Sequence, residues 1–504
     1  MMKKIFKLSF VVALLASIVS CDMDLRPINT IDPENAFTTI DDAQKLRTGM
    51  YIAFRGYTGG GIMSSLELHT DLFHATTSFG NRGGEEYEWT YTTGYGTAEG
   101  VWAGCYSNLK NVNYFLQEAA KVDQTEWSEE AKAQLQVFVG EAHFFRAYYH
   151  HLLVERFCLA YNEGANKDEF GVPYVTVYAP TSDSSKYPGR GTLEATYASI
   201  VDDLDLAAQK ITTTPAEGSI FVTSDLVKAF QARVALYMGD YDTAINKAKS
   251  LIDGGRYPLI NSAAGLKAMF IDDNGKECLW LSDADLATSS LPPSNDYAYL
   301  SYDANQGIYK PDYVPEQWVI DLYEDSDLRK DLFFDEKTIS ITGGSTYDLF
   351  VFNKFPGNPA LRTSESNQNY VHKTKIFRIA EMHLILAEAY ARSGQDASAI
   401  AALNVLKAAR GASAYTSGNL LDEILKERTR ELIGEGFRFL DIKRYGKDVQ
   451  RGAAQVRSAI YLPDTYETFY KANSDYRFLW PIPQSEVDAN PQIKNQQNPG
   501  YSGN

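Results

Sequence analysis

Helical periodicity that returns in adjacent pairs is the feature that most constrains the fold of this 504-residue chain. Apolar residues recur at three- and four-residue spacing over several stretches, which predicts amphipathic helices. Two helix pairs are joined only by a Gly-containing turn, and such short connections make neighbouring helices antiparallel. These pairs are 226–238 with 241–252, and 374–392 with 397–410, and further helices are predicted at 42–55, 101–121, 128–157 and 193–211.

The turn of the first pair has an informative spacing. Gly239 permits a tight bend, and Ala244 and Ala248 let the two helices approach each other closely. This spacing resembles the tetratricopeptide turn. A degenerate second copy contains Gly394, Ala399 and Ala402. We therefore expect an all-α fold, with about four tetratricopeptide-like helix pairs and long irregular insertions that carry short strands.

Helical periodicity fails in two segments, residues 70–100 and residues 256–372. The first is rich in Gly, Thr and aromatic residues, and the second mixes Gly and Pro turns with short aromatic segments. Irregular segments of this length in a compact protein are usually functional, so we expect the ligand there. The predicted parts are a signal peptide (1–20), an N-terminal helical region with a ligand loop at 70–100 (21–255), a ligand-binding insertion (256–373), and a C-terminal helical region with its tail (374–504).

The N-terminal segment predicts export and a lipid anchor. Lys3, Lys4 and Lys7 accompany a mostly apolar stretch, 5–19, that is too short for a comfortable transmembrane helix. It leads into Ile-Val-Ser-Cys, which ends at Cys21 and resembles the lipobox of bacterial lipoproteins. Acyl chains on Cys21 would hold the protein on a membrane, because each buried methylene contributes about 0.8 kcal/mol. A plain signal peptide with an incidental Cys is the alternative.

The charge of the exported chain limits its partners. The signal segment holds three of the 48 basic residues and no acidic one, so its removal leaves 45 basic against 65 acidic residues, a net charge of −20. Phosphate backbones need a basic footprint, so this balance argues against a nucleic-acid partner. It argues equally against electrostatic binding to an anionic membrane surface.

Residues 422–446 carry the most specific motif, DEILKERTRELIGEGFRFLDIKRYG. It resembles the signature of the SusD/RagB family of outer-membrane nutrient-binding lipoproteins. The matching positions are Glu427, Arg428, Arg430, Glu431, Gly434, Gly436, Arg438, Asp441, Arg444 and Gly446. Segments 46–51, 140–147 and 480–501 also match, so with the lipobox the resemblance covers essentially the whole chain. We expect the signature residues to be structural, since Arg and Glu three or four apart on one helix pair with each other and glycines allow the chain to turn.

The resemblance implies a binding protein, with no enzymatic activity, cofactor or metal site. Such proteins sit as a lid on a SusC/RagA-like TonB-dependent transporter of the outer membrane, facing the cell exterior, and deliver nutrient oligomers to it. The helical face would contact the barrel and the insertions would hold the ligand. We expect an oligosaccharide ligand. Peptide binding, as in the RagB branch, remains an alternative, as do a surface glycoside hydrolase and a pure scaffold for protein contacts.

Two aromatic clusters fall in the two irregular segments. Tyr87, Trp89 and Tyr91 alternate, and on a strand they would share one face. Flat rings stack on sugar faces and also suit peptides, while Asn and Arg donate hydrogen bonds. The alternative for each ring is a place in a local core. The predicted ligand-binding residues are Trp89, Tyr91, Asn81, Arg82, Tyr297, Tyr299 and Tyr302.

Motifs for other chemistry are weak. The glycines at 94, 96 and 100 lie in no βαβ unit, and 272–275 is a poor calcium loop. His69 and His74 are five residues apart, which fits one helix face badly, so we expect structural histidines. No nucleophile elbow is visible. Cys105 and Cys158 lie in apolar helical patterns and are predicted core residues, and an odd set of cysteines is no disulfide framework.

Overall fold

Long helices form the frame of the molecule in a computed structural model, which describes residues 37–162, 164–288, 290–294, 298–364, 368–461 and 469–501. The first half contains α1 (Ile40–Arg55), α2 (Gly61–Leu68), β1 (Phe73–Ala75), α3 (Gly84–Glu88), α4 (Gly96–Lys121), α5 (Glu129–Phe157), α6 (Leu193–Lys210), α7 (Ser224–Met238) and α8 (Tyr241–Asp253).

Short helices and strands then alternate before the helical frame resumes. This part contains α9 (Ala263–Phe270), β2 (Cys278–Trp280), β3 (Tyr302–Asp303), β4 (Ile308–Tyr309), β5 (Tyr313–Pro315), α10 (Gln317–Asp321), α11 (Lys330–Phe333), β6 (Phe334–Ser340), β7 (Thr346–Phe352) and β8 (Phe377–Arg378). The C-terminal part contains α12 (Ile379–Arg392), α13 (Asp396–Ala409), α14 (Leu420–Leu432), α15 (Arg438–Tyr445), β9 (Val449–Gln450), β10 (Tyr470–Lys471) and α16 (Gln484–Ala489).

The eight helices predicted from periodicity are all present, with differences at their ends. Helix α1 begins where Thr39 caps it, since the Thr39 hydroxyl accepts from the Asp42 N–H and the Asp42 carboxylate accepts from the Thr39 N–H. Helix α4 starts five residues earlier than predicted, at Gly96. Helix α12 starts at Ile379 and not at Thr374, because the preceding Phe377–Arg378 pairs as a strand with β2.

Helix α5 lies at the centre of the frame and packs against α1, α4 and α6. The α7–α8 pair and the α12–α13 pair pack together through α8 and α12. Gly239 and Gly394 take left-handed backbone angles at the two turns, with φ of 78° and 73°. Glycine adopts these angles without a steric penalty, which explains the tight connections. A mainly helical frame with small sheets is therefore the observed architecture.

The second irregular segment carries more regular β-structure than expected. Strands β3, β4, β6 and β7 form one sheet in that order, in which β4 and β6 are parallel and the other neighbours antiparallel. Strands β6 and β7 each span seven residues. A separate antiparallel pair joins β1 to β5, with Phe73 opposite Pro315. The two irregular segments, distant in sequence, therefore meet directly.

The alternation of Tyr87, Trp89 and Tyr91 does not arise from a strand, and that interpretation is wrong. Helix α3 ends at Glu88, and Trp89 has a left-handed φ of 56°. The rings are directed by this turn and by separate hydrogen bonds, because Tyr87 accepts from the Ala75 N–H and Trp89 donates to the His69 carbonyl.

The signature residues are structural, as predicted, but most pair between elements and not along one helix. Arg430 and Glu427 do pair along α14, at 2.8 Å. Glu431 instead binds Arg410 and Arg378 from other segments, at 3.0 and 2.6 Å. These contacts fasten β8 and the end of α13 to α14.

The glycines of the signature turn the chain after α14. Gly434 and Gly436 have φ of 79° and 81°. A Cβ at Gly434 would lie 2.7 Å from the Phe352 ring, and one at Gly436 would lie 2.7 Å from the Met63 sulfur. Both positions thus require glycine for backbone angle and for space.

Segments 46–51 and 140–147 meet in the helical frame. Arg47 donates to Glu141 through Nε and Nη2, at 2.5 and 2.7 Å. Tyr51 donates its hydroxyl to the same carboxylate at 2.7 Å and accepts from the Val222 N–H at 2.8 Å. The buried Glu141 thus joins α1, α5 and the start of α7.

Cys105 and Cys158 are buried, as predicted, and Cys278 is buried as well. None of the helices within the described residues is long and apolar enough to cross a bilayer.

Candidate ligand-binding site

A cleft of about 600 Å³ opens where the loop at 70–100 meets the insertion. Pockets for small molecules commonly enclose 300–1,000 Å³, so the cleft can hold several sugar rings or a short peptide segment. Helix α2, the first two turns of α4 and the chain at the start of β5 contribute to its walls. It is lined by Gly56, Gly59, Gly61, Ile62, Ser64, Ser65, Leu68, Arg82, Gly83, Glu86, Thr97, Gly100, Val101, Pro293, Ser294, Ala298, Asp312 and Tyr313.

Two glycines allow the walls of the cleft to approach each other. Gly60 has φ of 61°, and a Cβ there would lie 2.8 Å from the Pro293 Cβ. Gly83 has φ of 69°, and a Cβ there would lie 2.4 Å from Leu68 Cδ1. Larger residues would therefore push the insertion away from the helical frame.

An ion pair crosses the junction between the loop and the insertion. Arg82 Nε donates to Asp312 Oδ2 at 2.6 Å, and Arg82 Nη2 donates to Asp312 Oδ1. The Arg82 side chain is 65% exposed, whereas that of Asp312 is 6% exposed. Burial raises the pKa of Asp312, and the Arg82 guanidinium opposes this change. The Tyr313 hydroxyl donates to the Arg82 carbonyl and fixes the loop backbone.

A second carboxylate, that of Glu86, also lines the cleft. Glu86 is 6% exposed, and its Oε1 accepts from the Tyr95 hydroxyl at 2.5 Å and the Thr97 hydroxyl at 2.8 Å. These bonds connect α3 to the first turn of α4. The carboxylate is held in place by neutral hydroxyl groups.

Three of the predicted ligand-binding rings belong to the core, which corrects that prediction. Trp89, Tyr91 and Tyr299 are each at most 2% exposed. The Tyr299 ring packs 4.8 Å from the Phe73 ring and 5.3 Å from the Phe352 ring, measured between centroids. Rings enclosed in this way present no free face to a ligand, and the local-core alternative holds for all three.

Tyr302 keeps a partly exposed ring. Its centroid lies 4.8 Å from that of Tyr309, its partner in register on the neighbouring strand. The row continues across the sheet to Ile339 and Tyr347, and all four side chains share one face.

Tyr370 connects this row of side chains to the cleft. Its hydroxyl accepts from the Tyr302 N–H at 2.7 Å, and its carbonyl accepts from the hydroxyl of the cleft residue Ser294 at 2.8 Å.

The remaining predicted residues lie at or near the cleft or outside the described part of the chain. Arg82 lines the cleft. Asn81 is exposed with φ of 62°, and its side chain covers Gly84, where a Cβ would lie 2.0 Å from the Asn81 amide oxygen. Tyr297 and Cys21 lie outside the described residues. The residues on each side of the segment 295–297, Ser294 and Ala298, both line the cleft.

Sequence reasoning did not single out Glu86 or Asp312. They are two of 65 acidic residues, and no spacing distinguishes them. Asp312 becomes identifiable only when β1 pairs with β5 and brings Arg82 next to it. Tyr309 is one of several aromatic residues in the second irregular segment, and its pairing with Tyr302 depends on the register of β3 and β4.

The histidines that invited a metal interpretation are buried structural residues. His150 Nδ1 contacts the Arg146 carbonyl at 2.8 Å and its Nε2 accepts from the Val175 N–H at 3.1 Å. Burial lowers the pKa of His69 to about 4, so its ring is neutral near pH 7. Over the described ranges, no cluster of three or more His, Cys, Asp or Glu side chains is placed to hold a metal ion.

Comparison with known proteins places this fold in a defined class. A SusD superfamily protein from Bacteroides thetaiotaomicron superposes with a TM-score of 0.76 over 92% of this chain and 100% of its own, at 25% identity. Surface glycan-binding protein A from Bacteroides fluxus gives a TM-score of 0.67 over 92% of this chain and 100% of its own, at 20% identity. The helical frame with two insertions that meet over a cleft is therefore the SusD fold.

Sequence comparison identifies the family. A model described as SusD family matches residues 294–501, and one described as "Starch-binding associating with outer membrane" matches residues 32–236. SusD-like protein P2 from Formosa agariphila is 25% identical over 552 aligned residues, which cover 99% of this chain and 100% of that protein. The chain belongs to the SusD/RagB family.

Proposed function

We propose that this protein captures nutrient oligomers, most favourably oligosaccharides, in the cleft and delivers them to a SusC-like TonB-dependent transporter of the outer membrane. The observation that carries the proposal is the cleft itself, which forms where the two irregular segments meet. Membership of the SusD/RagB family and the names of the relatives, which include a surface glycan-binding protein, support it.

The lining of the cleft suits a sugar chain. Ile62, Pro293 and Ala298 are partly exposed and offer aliphatic surface to the C–H faces of sugar rings, and serine and threonine hydroxyls line the same walls. Arg82 is exposed enough to donate to sugar hydroxyls while it remains paired with Asp312. The partly exposed Tyr302–Tyr309 pair offers ring surface that sugars stack on.

The remainder of the proposed system comes from the sequence and the family. Acyl chains on Cys21 anchor the protein in the outer membrane, with the folded part facing the cell exterior. The helix pairs, which we interpret as tetratricopeptide-like, form the face that contacts the transporter. The matched family description, "Starch-binding associating with outer membrane", supports this location. The protein acts by binding and release without catalysis.

A substitution that fills the cleft tests the proposal. Gly100 lines the cleft, is exposed, and has no atom within 4 Å of the position a Cβ would occupy. Gly100→Leu therefore places an isobutyl group in the cleft. Replacing a glycine within a helix also stabilises α4, by up to about 1 kcal/mol. Gly49→Leu is the matched control, because Gly49 is an exposed glycine on α1 with the same open surroundings.

Glycan and peptide libraries are titrated against the wild type and both variants by calorimetry or on arrays. We expect an oligosaccharide that binds the wild type and Gly49→Leu but binds Gly100→Leu at least ten-fold more weakly. If a peptide instead bound the wild type and Gly49→Leu but bound Gly100→Leu more weakly, the RagB-type alternative would be favoured. Hydrolysis of a glycan by the purified protein would contradict a purely binding role.

A further inference from the structure

The charged side chains of the cleft are few and mostly acidic. Among the lining residues that the structure describes, Arg82 is basic, and Glu86 and Asp312 are acidic. The walls therefore provide no excess of positive charge.

The positive charge of Arg82 is already matched. Its Nε and Nη2 both donate to the Asp312 carboxylate, which is 6% exposed. An anionic ligand that formed a bidentate contact with Arg82 would have to displace Asp312. That displacement would leave a buried carboxylate without its cation, which is strongly unfavourable. Arg82 can therefore offer hydrogen bonds to hydroxyl groups but no unpaired charge.

Glu86 adds negative charge that no ion pair among the described residues neutralises. Its hydrogen-bond donors are the hydroxyls of Tyr95 and Thr97. Within the described part of the chain, no Lys or Arg forms an ion pair with Glu86. Its low exposure reduces screening by salt, so the repulsion of an anionic ligand persists at ordinary ionic strength.

We propose that the cleft takes uncharged oligosaccharides and excludes chains rich in uronate or sulfate groups. This inference rests on the proposed binding function and adds the chemical class of the ligand. The rest of the lining agrees with it, because neutral sugars need hydroxyl partners and apolar surface. Ser64, Thr97 and Ser294 supply the hydroxyl partners, and the partly exposed Ile62 and Ala298 supply the apolar surface.

Pairs of glycans that differ only in charge test the inference. The full-length folded protein is applied to an array that carries neutral glucans, galactans, mannans and xylans together with alginate and sulfated galactans. The array also carries oligogalacturonate as the free acid and as its neutral methyl ester. Each binder is measured again with Gly100→Leu and Gly49→Leu, and at about 50 and 500 mM NaCl.

We expect the glycans that bind to be neutral. Their affinity for Gly100→Leu should be lower than for the wild type, their affinity for Gly49→Leu should be unchanged, and both should change little with salt concentration. Any methyl ester that binds should have an affinity at least about ten-fold higher than that of its free acid. Binding of a polyanionic glycan that is lost in Gly100→Leu would overturn this inference while supporting the proposed function. An array without binders, or binders insensitive to Gly100→Leu, would overturn the proposed site and the inference with it.

Discussion

Glu431 and Arg410 form a bidentate ion pair in the interior, with Arg410 Nε and Nη2 each 3.0 Å from a different oxygen of the carboxylate. Both side chains are fully buried. Arg378 and Arg329 donate to the same carboxylate at 2.6 and 3.0 Å. Burial would raise the pKa of Glu431, but these three guanidinium groups outweigh it and hold the pKa well below its usual range.

Replacing Glu431 with Gln should lower the free energy of unfolding by about 3–5 kcal/mol, because it leaves three buried cations with one fewer carboxylate. Chemical denaturation followed by circular dichroism measures the change. Asp253→Asn is the control, since Asp253 pairs with Lys249 on the surface and such pairs contribute about 0–1 kcal/mol. If Glu431→Gln lowered the free energy of unfolding no more than Asp253→Asn does, the structural role of the signature residues would be contradicted.

The Glu431 contacts also predict a loss of stability in acid. A carboxylate whose pKa is lowered by folding contributes stability that is present above its ordinary pKa, near 4.5, and is lost as the pH falls below that value. Glu388 behaves in the same way. Burial opposes its ionisation, but Arg444, Arg428 and Arg392 lower its pKa to about 2. Denaturation midpoints should therefore fall steeply between about pH 4.5 and pH 2, and less steeply in Glu388→Gln.

Glu67 should show the opposite dependence. Burial raises the pKa of Glu67 to about 7, although the Gly436 N–H donates to Oε1. The protonated form is thus favoured in the folded protein, and its contribution to stability is lost as the pH rises from about 4.5 through about 7. Glu67→Gln imitates the protonated form. Its stability relative to the wild type should increase by roughly 3 kcal/mol between pH 4.5 and pH 7.

Unfolding of both proteins across this pH range measures the difference. Glu99→Gln removes a negative charge from an exposed position on α4 and serves as the control. A difference between Glu67→Gln and the wild type that is independent of pH would show that folding does not change the pKa of Glu67.

The helical frame could be predicted from the sequence because its helices are long and their apolar spacing is local information. Helix α5, for example, ends at Phe157 as its periodicity indicated. Neither the contact between the two irregular segments nor its register could be predicted in this way. Pairing of Phe73 with Pro315 joins residues far apart in the chain, and no local pattern specifies it.

The ring at position 89 shows why the binding residues were harder to predict. Trp89 and Tyr302 are both aromatic residues in irregular segments, and composition treats them alike. The left-handed backbone at Trp89 turns its ring inward, where it packs 4.9 Å from the Phe478 ring. Tyr302 lies in a two-residue strand and remains partly exposed. Tertiary contacts, which the sequence does not show, decide between core and surface.

Alanine substitutions at these two rings should therefore separate stability from affinity. Trp89→Ala should lower the free energy of unfolding by about 3–5 kcal/mol, because it empties a buried site. Tyr302→Ala should leave the melting temperature nearly unchanged and weaken oligosaccharide binding by about 2 kcal/mol. Tyr470→Ala, at an exposed ring of the short β9–β10 pair, controls for loss of a surface tyrosine. Unchanged affinity in Tyr302→Ala would remove the Tyr302–Tyr309 pair from the proposed site.

The last prediction concerns Cys21, whose role rests on the sequence alone. Cys21→Ala should move the mature protein from membranes to the soluble fraction, because the thiol that accepts the acyl chains is gone. The melting temperature should not change, since the first helix within the described residues begins at Ile40, well after Cys21 in the sequence. Ser20→Ala is the control, because it keeps a small residue beside an intact Cys21. Fractionation after an alkaline wash, together with incorporation of labelled palmitate, measures the outcome. If the Cys21→Ala variant remained in the washed membrane fraction at the wild-type level, the lipid anchor would be contradicted.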